Sequence, residues 1–237
     1  DVFDGRLIAA SEAKEKGLVD ELGFWDDLNA MVEDIDQKSI TVAELPEFYM
    51  GEDQPFLINP FNRIAIVEID GQIHMGQNST NFFFGGRSTG AATFDALVES
   101  INNDFSIKGV VLRVNSPGGS ILAADSIYHS IEKMKDAGKV IYTSMGAIAT
   151  SGGYYVAMNS DKIIANSSTL TGSIGVISSF RSMEGFNKLL GIDHEVIKTG
   201  KFMDMMSPNR KMTDDERDMF RDYQKKHYDQ FVKKVQS

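Results

Sequence analysis

KGVVLRVNSPGGS, residues 108–120, decides the fold. Its first eight residues are rich in valine and read as a strand. Ser116-Pro117-Gly118-Gly119 stops that strand, and Ser120 is placed to cap a following helix. The helix shows in Ala124, Ile127, Ile131 and Met134, which share one face, and Gly138 ends it. A strand passing through a tight turn straight into a helix is the repeating unit of an α/β fold.

The same unit recurs on both sides. Upstream, RIAIVEIDGQI (63–73) alternates like a strand, and Phe94, Leu97, Val98 and Ile101 recur at helical spacing. Downstream, KVIYTSM (139–145) is a strand and ATSGGYYVAM (149–158) a second turn into a helix. Shorter strands are expected at KIIA (162–165), SIGVI (173–177) and HEVIK (194–198), with a helix near EGFNKLL (184–190). Thr213-x-x-Glu216 is a capping box opening a long helix with Phe220, Tyr223, His227, Phe231 and Val235 at helical spacing. Alternating strands and helices predict an α/β fold with a mostly parallel sheet.

The front of the chain is different. Residues 1–35 read as a short strand and a helix pair, with Ser11 as a helix cap, Gly17 as a stop and a second, acidic helix around WDDLNAMVEDI (25–35). Residues 36–61 form a polar linker containing Pro46, Gly51, Pro55 and Pro60 and one short strand, SITVAEL (39–45). The main domain is expected over 62–237.

Composition narrows the chemistry. The 237 residues carry a net charge of −10, so a nucleic-acid partner is not expected, because phosphate neutralisation needs a basic surface. With no cysteine there is no disulfide, zinc-thiolate site or cysteine nucleophile. No apolar run reaches the roughly 18–20 residues that span a bilayer, and the polar start DVFDGR is not a signal peptide.

Two turns can carry catalysis. The PGG turn can bring backbone N–H groups close to a ligand and donate to an oxyanion, or be an ordinary tight turn. In ATSGGYY, Ser151 stands on a sharp turn after a strand, as a nucleophile does, with the Gly152 N–H as a second oxyanion donor; the plain alternative is a helix N-cap serine. Serine needs a base. None of His74, His129, His194 and His227 belongs to a readable motif, which leaves a Ser-Lys pair with its lysine in IKTGKFMDMMSP (197–208).

VVLRVNSPGGS, SMGAIATSGGYYVAM, ANSSTLTGSIGVI and KTGKFMDMMSPNRKMTDDE together closely resemble the signal peptide peptidase A family of serine-lysine peptidases, over nearly all of residues 62–237. The resemblance implies a Clp protease/crotonase-like superhelix of strand-turn-helix units. It implies Ser151 as nucleophile, Gly118 and Gly152 at the oxyanion hole, and no cofactor or metal. It implies apolar peptide substrates such as cleaved signal peptides and a homo-oligomeric ring. It also implies membrane association through a segment not present here, with the catalytic domain on the extracytoplasmic side.

Two features depart from the family pattern. The family lysine, in a G-x-x-K-D segment, falls here on Met203, which cannot accept a proton. A deliberate replacement, a lysine supplied by another copy, and a shifted Lys201 or Lys198 are the three explanations; Lys201 ranks low, since an extended chain puts it about 7 Å along from position 203. In addition, DGRLIAASEAKEKGLVDELGFWDDL (4–28) resembles the stretch that normally follows the family's last helix, so the chain is circularly permuted or spans the end of one tandem copy and most of the next. Phe82, Phe83 and Phe84 could meet apolar substrate or membrane, or pack under their loop; Met205 and Met206 could line a pocket or fill core. A non-catalytic ring or peptide-binding subunit and an acyl-CoA enzyme of the crotonase type are the competing functions.

Overall fold

The structure, a computed structural model, describes residues 7–22, 41–44, 62–80 and 86–236. It falls into two units, the first ending at Ile174 and the second beginning at Gly175. The acidic helix expected at 25–35, most of the 36–61 linker and Phe82–Phe84 lie outside the described residues.

The first unit is built on one sheet whose strands run in the order β1 (Leu7–Ala9), β11 (Leu170–Gly172), β9 (Val140–Thr150), β8 (Ile107–Ser116), β4 (Arg63–Asp70) and β3 (Thr41–Glu44). β10 (Lys162–Ala165) pairs with the first half of β9, and β2 (Glu21–Leu22) pairs with β10. Every pairing in this sheet is parallel except β1 on β11. A second, three-stranded sheet holds β5 (Gln72–His74), β7 (Arg87–Gly90) and β6 (Ser79–Thr80). The α/β fold with a mostly parallel sheet is the one the sequence predicts.

Parallel strands are covered on both faces, and that overrides the alternation expected for RIAIVEIDGQI. Ile64, Ala65, Ile66 and Val67 are all buried in succession, and Gly71 divides the stretch into β4 and β5. Two helices flank β8 in sequence: α2 (Ala91–Asn103), which buries Phe94, Val98 and Ile101, and α3 (Ile121–Asp136), which buries Ala124, Ile127, Ile131 and Met134. Ser120 caps α3 through Ala123 N–H, as expected. Ser11 does not cap α1 (Ala10–Glu15): the helix starts one residue before it, and Ala9 stands at the cap with no side chain to offer.

Strand β9 is longer than KVIYTSM and continues through Thr150. Its first half pairs with β10 and its second half with β11, so it delivers Ser151 at the carboxyl edge of the sheet. The strand expected over SIGVI lies earlier, at Leu170–Gly172, because that is where the chain finds the edge of β9; Ile177 is 86% exposed.

The second unit contains α5 (Glu184–Leu189) and α6 (Asp214–Val235). The capping box at Thr213 and Glu216 is formed in full. Phe180 packs on Phe220 with ring centroids 4.6 Å apart, and Phe231 is buried. HEVIK is not a strand: no described segment pairs with it, and Ile197 stands in solvent.

Candidate active site

Both turns of interest leave carboxyl ends of neighbouring strands, β8 and β9, and the structure brings them into contact. A Cβ placed on Gly118 would lie 2.6 Å from Gly152 N and 3.0 Å from Ser151 Cβ. Gly118 therefore has no room for a side chain, and its φ of +97° is one that only glycine adopts without strain. Thr150 Oγ1 donates to Pro117 O at 3.1 Å and ties one turn to the other.

Ser151 is not a capping serine. It precedes α4 (Gly152–Ala157), yet its hydroxyl makes no capping bond to that helix. Its backbone stands at φ 50°, ψ −118°, an outlier for a residue with a side chain. Such strain costs on the order of 1–3 kcal/mol and persists only where the surroundings enforce it. A strained serine at a strand-to-helix elbow is how hydrolases expose a nucleophile.

The donors opposite it are backbone amides. Gly118 N–H is taken by the buried Ser116 Oγ at 3.0 Å. The open amide of this turn is the next one, Gly119, which has no acceptor among the described residues. It lies 3.2 Å from where a Cβ on Gly152 would be, and Gly152 N–H, at the start of α4, is likewise without an acceptor among the described residues. Two such amides on adjoining turns, one of which carries a serine, can stabilise the charge on an attacked carbonyl. Strand β5 braces the turn: Ile73 N–H donates to Gly118 O at 3.0 Å and Ser120 N–H to Ile73 O at 2.9 Å.

The two tyrosines after Ser151 hold α4 on opposite sides. Tyr155 donates to Asp125 Oδ1 at 2.6 Å, linking α4 to α3, the helix that follows the PGG turn. Tyr154 donates to Leu18 O at 3.0 Å, linking α4 to the front of the chain. Burial pushes both phenols well above the ordinary tyrosine range, so both remain donors at neutral pH.

Each histidine is engaged elsewhere. His74 contacts Met75 O and Ser88 Oγ, His129 pairs with Glu132, His194 meets Asn187 Nδ2, and His227 packs edge-on against Tyr223. Among the described residues the lysine whose proton affinity burial lowers is Lys139, which donates to Asp104 O and Ile107 O. It precedes the amino end of β9, and at about 3.3 Å per residue the strand separates it from Ser151 by some tens of ångströms.

Met203 and Lys201 belong to the second unit, whereas Ser151, Gly118 and Gly152 belong to the first. Met203 is 73% exposed. Lys201 is exposed, pairs with Asp215 and rests over the Phe202 ring. Lys198 pairs with Asp204 at 2.5 Å. Both ammonium groups are thus engaged by carboxylates of their own unit. Asp204 is shared with Arg210 Nε at 2.8 Å, and Arg210 forks onto Glu216, which is 1% exposed. Hydrogen bonds from Arg210, then the Thr213 amide, lower the Glu216 carboxyl to about 2.

Comparison with known proteins points to a peptidase family. The family model for peptidase family S49 matches residues 133–237, and that for Clp protease matches 91–173, the strand-turn-helix units that carry both turns. Protease 4 of Haemophilus influenzae is 35% identical over 192 residues, 79% of this chain. An Enterococcus faecium protein named as a candidate signal peptide peptidase SppA is 41% identical over 138 residues, 58% of this chain.

The chain belongs to the signal peptide peptidase A family.

Arabidopsis thaliana has a chloroplastic relative named serine protease SPPA, 28% identical over 220 residues. The chain spans 30% of the length of the Haemophilus protein, 40% of the Enterococcus one and 31% of the Arabidopsis one. ClpP1 from Listeria monocytogenes aligns at a TM-score of 0.30 and 19% identity, over 40% of this chain and 46% of that one, a likeness too partial to add to the assignment. The free Gly119 amide is the feature the sequence reading missed; the S-P-G-G run held a signal for it, because a serine two residues before a glycine can occupy that glycine's N–H.

Proposed function

We propose that this chain is the nucleophile-bearing part of a serine endopeptidase that cleaves apolar peptides such as spent signal peptides, with a lysine base that position 203, here methionine, does not itself supply. The observation that carries the reading is Ser151: strained, uncapped, and set on a turn packed so closely against the PGG turn that no Cβ fits on Gly118. In this mechanism Ser151 Oγ attacks the scissile carbonyl and its proton passes to a neutral lysine amine. The oxyanion accepts from Gly119 and Gly152 N–H. The lysine then protonates the leaving amine, and water, deprotonated by the same lysine, releases the acyl group. No step uses a metal or cofactor.

The lysine donor is another copy of the domain, within a longer chain or in a ring of subunits. The resemblance of residues 4–28 to the stretch that follows the family's last helix favours that source. Among the described residues no helix is long and apolar enough to cross a bilayer. As written, the chain is inactive alone.

The test is labelling at Ser151 by a serine-directed acylating probe, together with hydrolysis of an apolar peptide, for the unaltered chain and Met203→Lys. Labelling and turnover that appear with Met203→Lys would place the base at position 203. The second reading is a non-catalytic subunit that binds peptide or builds the ring, favoured by Met203 and by the paired state of Lys198 and Lys201. Failure to label in either form, and again in the presence of a lysine-bearing copy, would establish it.

A further inference from the structure

The nucleophile turn is braced from behind by the front of the chain. Ser151 N–H donates to Gly172 O at 2.9 Å, and Gly172 is the register partner of Leu7 where β1 pairs antiparallel with β11. Ala10 N–H continues the attachment onto Thr169 O at 3.0 Å. On the other flank, Leu18 O receives the Tyr154 hydroxyl, three residues beyond Ser151. Asp20 then closes a two-bond clamp on the sheet edge: its N–H donates to Ile163 O at 3.0 Å, and its carboxylate accepts Ile163 N–H at 2.7 Å. Beyond the clamp, Glu21 and Leu22 pair with Ile164 and Ala165.

This is a packed attachment. Ala10 and Ala13 are fully buried, and Leu18 and Val19 are 6% and 3% exposed. Its placement bears on chemistry because Ser151 occupies a costly backbone conformation, which holds only while neighbouring bonds over-determine it. Two of those restraints, the strand behind Gly172 and the carbonyl that fixes Tyr154, come from residues more than a hundred positions away.

We propose that residues 7–22 are a positioning clip for Ser151, which keeps the nucleophile turn in its strained form by completing the sheet behind Gly172 and by anchoring Tyr154. Ser151 is the nucleophile of the peptidase reading, so the proposal deepens that reading. Asp20 and Tyr154 are positioning residues that touch neither substrate nor the reacting atoms. Were the segment only a stabilising flap, its loosening would lower the stability of the whole sheet evenly.

Amide hydrogen exchange in the full chain separates the two cases and needs no chemistry at Ser151. The variants are Asp20→Ala, Tyr154→Phe and Asp20→Asn, whose amide oxygen can still accept Ile163 N–H. The clip predicts that the amides of Ser151 and Tyr155 exchange about tenfold faster in Asp20→Ala and Tyr154→Phe, as local opening costs less. Asp20→Asn should stay near the unaltered rate, and the Val110, Val111 and Leu112 amides of β8 should hardly change. An unchanged Ser151 amide, or β8 amides that speed up in step with it, would overturn the clip. In Met203→Lys protein that labels, the labelling rate should fall with Asp20→Ala and return with Asp20→Asn; equal rates in both would also overturn it. Should nothing label even with a lysine-bearing copy present, the peptidase reading fails while exchange still decides the clip.

Discussion

Ser151 is held by backbone, and position 203 by charge. Around Ser151 the contacts are amide to carbonyl, glycine against glycine, and strands paired on both sides of β9. Around position 203 they are side-chain ion pairs: Lys198 on Asp204, Asp204 on Arg210, Arg210 on Glu216. Backbone contacts are fixed by the fold and change little with pH or salt. Ion pairs near solvent are adjustable and can be titrated away. The region that must hold a strained geometry thus uses the stiff means, and the region that carries the family's base position uses the soft one.

The strongest way to break this contrast is at Gly118. A valine there would put its Cβ 2.6 Å from Gly152 N, against backbone that cannot yield, at a φ of +97°. On the proposed peptidase reading, displacing the PGG turn removes an oxyanion donor from Ser151, a loss worth about 10²-fold or more in rate. Labelling of Ser151 in the Met203→Lys background should fall by at least that factor in Gly118→Val. An effect of only a few-fold would mean that the contact between the turns does not organise the site.

A smaller effect is expected at the charged network, and it depends on pH. Glu216 has a folded carboxyl value of about 2 against an ordinary 4.5, with Arg210 the largest cause. A depressed carboxylate adds stability that is complete above its unfolded value and is lost as pH falls through its folded value. The second unit should therefore weaken between about pH 4.5 and about 2, read as helix loss by circular dichroism. Arg210→Ala removes the main cause, so the folded value moves back toward 4.5: the variant should be less stable at neutral pH and lose less on acidification, over a narrower range below 4.5. Arg210→Lys should recover only part of the stability, since an ammonium cannot fork onto both Glu216 oxygens. An acid profile unchanged in Arg210→Ala would show that the network does not hold this loop.

The same contrast explains what could be read in the sequence. Strand β8, helix α3 with its Ser120 cap, and the two glycine turns were legible because each is a local pattern whose physics is short-range. The capping box at Thr213 was legible for the same reason. Burial of Ile64 to Val67 on both faces was not, because alternation says nothing about which neighbours cover a strand. HEVIK has the composition of a strand but no described partner, and pairing is a tertiary fact. The engagement of Gly118 N–H by Ser116, which makes Gly119 the open amide, needed coordinates, as did the docking of residues 7–22 beside a site more than a hundred positions away.

The smallest effect sharpens the comparison from the soft side. Thr213 Oγ1 accepts the Glu216 N–H at 3.3 Å, while Glu216 Oε2 accepts the Thr213 N–H at 2.8 Å. Glu216 therefore serves two structures at once, the start of α6 and the fork of Arg210. Thr213→Ala leaves one amide of α6 uncapped, a cost of about 1 kcal/mol. In a chain of this size that is a fall in melting temperature of about 2–4 °C. Thr213→Ser should restore it, because its hydroxyl can make the same bond. If the cap and the fork share Glu216 as the geometry has it, Thr213→Ala combined with Arg210→Ala should cost measurably less than the sum of the two, since one releases the Glu216 N–H and the other its carboxylate, and both hold the same residue. Strict additivity in thermal melts would mean that the two contacts are independent and that the loop at position 203 is not coupled to the start of its helix.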